Sequence, residues 1–139
     1  MIVLDTNVVS GLMKDEPDPK LDRWLESQEL EDLFLAAPSV MELVFGVQIL
    51  PAGKRKTQLQ AKLDDQIDVL FAGRILPFDH DAAEICGYLM AMRRSFTPLM
   101  KVADMQIAAM AVRNGFAVAT RNVADFQHED LQVINPWTD

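Results

Sequence analysis

A three-layer α/β/α domain on a central five-stranded parallel sheet is the architecture this sequence predicts, and three observations carry that expectation. Strand and helix signals alternate along the chain. The first strand is apolar throughout, as a strand covered on both faces must be. The helical stretches between strands supply the crossovers that parallel neighbours need, and these are right-handed.

Met1-Ile2-Val3-Leu4 is the first strand, and it runs straight into Asp5, whose followers Thr6 and Asn7 are small polar residues able to fix a carboxylate rotamer. A helix with Leu21, Trp24 and Leu25 on one face follows Pro17 and Pro19. Leu33-Phe34-Leu35-Ala36 makes the second strand. Ser39 opens a helix that runs to Leu50, and Pro51 and Gly53 close it. Leu59, Leu63, Ile67, Leu70 and Phe71 then recur at three- and four-residue steps, the apolar stripe of a packing helix.

Residues 74–78 form a short third strand, where Pro77 suits a sheet edge because it has no amide proton for a ladder. Asp81 starts another helix, with Asp81-x-x-Glu84 as its capping box and Ile85, Leu89 and Met92 inward. Thr97-Pro98 breaks it. A mostly apolar helix follows from about 101 to 113, stopped by Asn114-Gly115 as a left-handed cap. Residues 116–120 and 132–134 are the fourth and fifth strands, and there is no internal repeat.

With 139 residues, half of them hydrophobic, residues 1–139 have the content of one compact domain. Cys86 is the single cysteine, which excludes an internal disulfide framework and fits a reducing compartment. Two histidines and one cysteine do not make a closed zinc site. The opening lacks the basic region of a secretory signal, and no apolar run reaches transmembrane length, so the expected location is cytoplasmic, with no membrane partner. A formal charge of −8 argues against coating nucleic acid by bulk electrostatics, though not against an enzyme acting on it. Lys54-Arg55-Lys56 and Arg93-Arg94 read as solvated basic faces.

Ligands of parallel sheets sit at the carboxyl edge, and several polar positions reach that edge. Asp5 lies there directly after the first strand. Glu42, six residues past the second strand, falls in the first turn of the next helix. Asp104 opens a helix that must run antiparallel to the fourth strand; about ten helical residues rise on the order of 15 Å, which brings Asp104 back to the height of Thr120. Asn122 and Asp125 follow in the next loop.

Each position also has a structural alternative. Asp5 and Asp104 could be helix caps or dipole partners, Ser39-x-x-Glu42 is a capping box, and Asn122 and Asp125 are turn formers. Convergence weighs against these readings. Carboxylates roughly 5 Å apart repel by about 3 to 4 kcal/mol per pair at an effective dielectric near 20, and a divalent cation removes that penalty. An all-oxygen donor set points to Mg²⁺ or Mn²⁺, the ions suited to phosphodiester hydrolysis.

Taken in order, these motifs resemble the PIN domain, and within it the VapC-type and FitB-like toxins of type II toxin–antitoxin pairs. The resemblance spans nearly the whole chain: L-D-T-N at 4–7; S-x-x-E at 39–42 followed by Leu43 and Gly46; A-D-x-x-I-A-A at 103–109; and A-T-R-N with a following D-F at 119–126. FitB-like features include F-A-G-R-I-L-P-F-D at 71–79 and N-P-W at 135–137. It implies a PIN-like fold and a metal-dependent endoribonuclease with Mg²⁺ or Mn²⁺ as cofactor and RNA as substrate. It also implies inhibition by a cognate antitoxin, homodimers that enter larger complexes, and operator DNA reached only through the antitoxin. Asp5, Glu42 and Asp104 become the catalytic metal ligands, with Thr6, Asn7, Ser39, Thr120 and Arg121 as supporting or substrate-side groups. FitB-like sequences commonly carry aspartate where this chain has Asn122, so the fourth ligand is either Asn122, which stands closer to the strand end, or Asp125. That departure also admits an alternative function, a catalytically weak PIN-fold regulatory or nucleic-acid-binding partner. A haloacid-dehalogenase-type phosphatase is discounted, because its second aspartate would stand where this chain has Asn7.

Overall fold

A computed structural model describes residues 1–94 and 101–139 of the chain. β1 (Ile2–Leu4), β2 (Leu33–Ala36), β3 (Ile75–Leu76), β4 (Ala117–Ala119) and β5 (Val133–Ile134) form a sheet in the order β3-β2-β1-β4-β5, every pairing parallel. The expected five-stranded parallel sheet is present, with β3 at one edge and only two residues of the expected 74–78 in the ladder. β1 is central. The chain builds outward from it to β2 and β3, then crosses to β4 on its other side, so the strand order reverses beside β1. Crevices at such reversal points are where parallel sheets hold ligands.

Side chains alternate across the pleat, which divides the core in two. Ile2, Leu4, Leu33, Leu35, Ala117 and Ala119 face one way. They pack against α1 (Thr6–Leu12), α2 (Pro19–Glu26), α3 (Ala37–Gln48) and α4 (Lys54–Asp65), through residues such as Val8, Leu21, Leu43 and Leu63. Val3 and Val118 face the other way, onto α5 (His80–Arg93) and α6 (Val102–Asn114), meeting Cys86, Leu89, Ile107 and Met110. Each fully buried aliphatic side chain stabilises this arrangement by about 1.5 to 3 kcal/mol. Among the described residues, no helix is long and apolar enough to cross a membrane.

Several boundaries depart from expectation. α1 has no periodic signal in the sequence: Asp5 is its N-cap and Val8 and Val9 its buried face, but about two turns are too few for a helical period to stand out. α3 begins at Ala37, ahead of Ser39, because Pro38 in its first turn brings a backbone angle suited to a helix start. The cap of α5 is Asp79, which accepts from the Ala82 amide at 2.9 Å; Asp81 lies inside the helix and pairs with Arg113 at 2.9 Å. Within α5, Leu89 is buried and Ile85 packs against the core, while Met92 is exposed. The stripe from Leu59 to Phe71 is continuous as expected, but its last turn, Gln66–Leu70, widens to a π-helix. The expected break at Thr97-Pro98 lies outside the described residues.

Two glycines have defined work. Gly115 closes α6 at φ 69°, as expected of a left-handed cap. Gly11 permits a close approach: a Cβ there would stand 3.0 Å from Leu21 Cδ2 and 3.4 Å from Trp137 Cζ2. Trp137 of the N-P-W motif thereby packs onto α1 and α2, where it is nearly buried.

Candidate active site

Leu4 is in register with Leu35 on one side and Ala119 on the other, so the next residue, Asp5, emerges level with Ala36 and Thr120. Asp5 is only 3 % exposed. Its Oδ1 accepts from the Thr6 amide at 2.7 Å, and its Oδ2 accepts from Asn7 Nδ2 at 2.9 Å and Thr120 Oγ1 at 2.8 Å. Burial still pushes its pKa above the usual carboxylate value, with help from Glu42, against these three donors. The rotamer is therefore set by contacts from α1 and from the residue that follows β4, before any ligand arrives.

Glu42 reaches the same mouth from the second turn of α3, one turn later than expected. Because α3 starts at Ala37 and its cap position, Ala36, makes no side-chain cap bond, Ser39 and Glu42 do not form a capping box. They meet Thr6 instead. Thr6 Oγ1 lies 2.9 Å from the buried Ser39 Oγ and 2.8 Å from Glu42 Oε1. A hydroxyl has one proton to give, and a charged carboxylate is the stronger acceptor. Thr6, at the head of α1, thus fastens Glu42 and α3 to the residue beside Asp5.

Asp104 sits in the first turn of α6, with Lys101 in the cap position, so it is not itself the cap. It is half-buried, and its pKa is raised to about 6 by burial and by the charges of Asp5, Glu42 and Asp125, with Lys101 opposing. Asp5, Glu42 and Asp125 thus each lie within electrostatic reach of Asp104, and Glu42 also of Asp5. Asp125 occupies the 3₁₀ turn Val123–Phe126. Asn122 precedes it and is exposed; its amide N–H donates to Thr120 Oγ1 at 3.0 Å. Of the two candidates for the fourth position, Asp125 is the one whose charge reaches Asp104.

Arg121 divides its contacts. Its backbone N–H donates to Asn7 Oδ1 at 3.3 Å, while its guanidinium lies 4.0 Å from the centre of the Trp137 ring. Two contributors carry no clear signal in the sequence. Lys101 is three residues before Asp104, a spacing that puts both on one helical face. Arg93, expected on a solvated basic face, donates from Nη1 to the Asp125 carbonyl at 3.1 Å and so ties α5 to the turn carrying that carboxylate. No local pattern announces that second tie.

The donor chemistry fits a hard divalent cation, since every charged group at the mouth offers carboxylate oxygen. Among the described residues, however, no three acidic, imidazole or thiolate groups are already drawn up around one point as an ion would hold them. Asp5 and Glu42 are turned instead onto Thr6, Asn7 and Thr120. From Thr6 and Glu42 a groove of about 600 Å³ runs between α1, α3 and α4, past Met13, Leu43, Val47 and Lys62.

The family model for the PIN domain matches residues 2–128. The chain is 47 % identical over 137 residues to "VapC ribonuclease Y4jK" of Sinorhizobium fredii, covering 99 % of this chain and 98 % of that protein. It is 42 % identical over 139 residues to "Toxin FitB" of Neisseria gonorrhoeae, covering all of both. Among solved structures, that of FitAB bound to an IR36 DNA fragment superposes with a TM-score of 0.89 at 40 % identity, covering 99 % of this chain and 96 % of that one.

Proposed function

The chain belongs to the PIN domain family, and from that premise we propose that it is a metal-dependent endoribonuclease, the toxin of a type II toxin–antitoxin pair. The observation that carries this reading is the half-buried Asp104 at the carboxyl edge, raised to about 6 by burial first and then by the charges of Asp5, Glu42 and Asp125. A fold does not retain such repulsion for stability. It is offset when a cation sits among the carboxylates, and the relatives named as a ribonuclease and as a toxin point to the same use.

Asp5, Glu42, Asp104 and the fourth carboxylate, Asp125, are the residues that would hold Mg²⁺ or Mn²⁺. Bound there, such an ion supplies Lewis acidity, which lowers the pKa of water and offsets charge on a phosphodiester. The chain's own part is preorganisation. Thr6, Asn7 and Thr120 hold Asp5, Thr6 holds Glu42, and Ser39 backs Thr6, so a phosphate meets fixed partners.

The partner that restrains this activity is a cognate antitoxin, by the analogy of the FitAB complex, and operator DNA is reached through it, consistent with a net charge of −8 on this chain. An arginine of the antitoxin entering the acidic mouth would pair with its carboxylates. A homodimer would cover the exposed Met41, Phe45 and Ile49, which line one face of α3.

The test is cleavage of single-stranded RNA by purified protein. Activity should vanish in EDTA and return with Mg²⁺ or Mn²⁺; cleavage that survives chelation, with contaminating ribonuclease excluded, overturns the metal reading. Asn122, an exposed amide where FitB-like chains carry a carboxylate, favours the second reading, a catalytically weak regulatory or nucleic-acid-binding partner. RNA binding without cleavage at saturating metal would select it.

A further inference from the structure

A second groove, of about 510 Å³, lies between α2 and the chain after β5, lined by Lys20, Arg23, Trp24, Ser27, Trp137 and Thr138 among others. We infer that this groove is a binding subsite for the sugar-phosphate backbone of single-stranded RNA leaving the acidic mouth; the inference rests on the ribonuclease reading and extends its substrate site.

Charge is the first support. Lys20, Arg23, Trp24 and Ser27 stand at i, i+3, i+4 and i+7, one face of α2. Both cations are exposed, and among the described residues neither side chain makes an ion pair. The groove's lining carries these two cations against one side-chain carboxylate, a local excess of positive charge on a chain of net charge −8. That carboxylate, Asp139, is held in place by its neighbours, Oδ2 accepting from the Asn135 amide at 2.8 Å and Oδ1 from Thr138 Oγ1 at 3.2 Å, and it keeps its charge.

Continuity with the catalytic edge is the second support. Asn7 donates to Asp5 and accepts from the Arg121 amide, and the Arg121 guanidinium lies over Trp137, which lines the groove. A strand leaving the carboxylates along this path meets Arg121 first, then Lys20 and Arg23. The form of the walls says what is read. Trp24 and Trp137 are each only 8 % exposed, so neither offers a free ring face for a base to stack on. The groove recognises phosphate charge and is indifferent to base.

The chain's two tryptophans both line this groove, so intrinsic fluorescence reports its occupancy without any need for catalysis. The full chain is titrated in EDTA with a 12-nucleotide single-stranded RNA, a trinucleotide and polyglutamate. The 12-mer should change tryptophan emission, with little dependence on base composition, and the trinucleotide should not. Lys20→Ala with Arg23→Ala should weaken 12-mer binding about tenfold and lower the salt slope by about 1.4, at about 0.7 for each single-strand phosphate left unneutralised. Lys54→Ala, which removes one charge outside the groove's lining, should weaken it less than Arg23→Ala alone. Thermal melts check that the exposed substitutions leave the fold intact. No emission change with the 12-mer, equal effects of Lys54→Ala and Arg23→Ala, or equally strong binding of polyglutamate each overturns the proposal, the last in favour of an acidic peptide. Cleavage with metal but no effect of Arg23→Ala sinks the subsite alone; groove binding with no cleavage at any metal concentration sinks the ribonuclease reading alone.

Discussion

Thr120 Oγ1 donates to Asp5 Oδ2 at 2.8 Å and accepts from the Asn122 amide at 3.0 Å, joining residues 115 positions apart in sequence. One buried hydroxyl thus fixes a catalytic candidate and the start of the loop that follows β4. Thr120→Val keeps the shape and removes the donor, leaving a buried carboxylate short of a partner. Loss of stability of about 1 to 3 kcal/mol is expected in urea titrations, with Thr120→Ser close to wild type. Equal behaviour of the two variants would show that this hydrogen bond is not what holds Asp5.

The apo protein should lose stability as pH rises between about 4 and 6. Asp104 has a folded-state pKa of about 6 against 3.8 for the free side chain, so across that window the folded state binds more protons than the unfolded one. Its contribution is fully present below 3.8 and lost as pH rises through about 6. Undiminished, the shift would amount to about 3 kcal/mol, and solvent screening of a half-exposed group reduces that to about 1 to 2 kcal/mol. Chemical denaturation at pH 4 to 7.5 in EDTA measures it; Asp104→Asn should flatten the slope.

The same substitution separates function from architecture. Asp104→Asn should abolish RNA cleavage while stability at neutral pH stays unchanged or rises, because it relieves repulsion and Asp104 is not the helix cap. A marked fall in stability would assign the residue a structural task instead.

Metal titration of single variants identifies the fourth ligand. Asp125→Asn should weaken Mn²⁺ binding and cleavage more than Asn122→Ala, since the charge of Asp125 reaches Asp104. Asn122→Asp should tighten binding by adding a negative charge at the lip. The reverse order would restore Asn122 to the position its closeness to β4 suggests, and negligible effects of both would leave a site of Asp5, Glu42 and Asp104.

The start of α5 offers a test independent of chemistry. Asp79→Ala removes the bond to the Ala82 amide and should lower stability by about 1 kcal/mol. Asp81→Ala breaks only an exposed pair with Arg113 and should lower it by less than about 0.5 kcal/mol. Equal losses would mean that both acids share the capping task.

Local patterns alone made much of this protein legible. The apolar run ending at Asp5, the alternation of strands and helices, the proline just past an edge strand and the glycine after α6 each act over a few residues, where sequence and backbone are directly linked. The direction of α6 then follows from parallel pairing, and with it the return of Asp104 toward the height of Thr120. Other features depend on contacts that no short window contains. Pro38 moved the start of α3 two residues ahead of Ser39, and Ser39 and Glu42, spaced like a capping box, turned to Thr6 across more than thirty positions. Asp125, half-buried in a 3₁₀ turn that Arg93 ties to α5, lends its charge to Asp104, while the nearer Asn122 is exposed and has no charge to lend. Sequence determined which residues reach the carboxyl edge, since backbone direction is set locally; tertiary structure decided which side chains engage there, since a rotamer is set by whatever the rest of the chain packs against it.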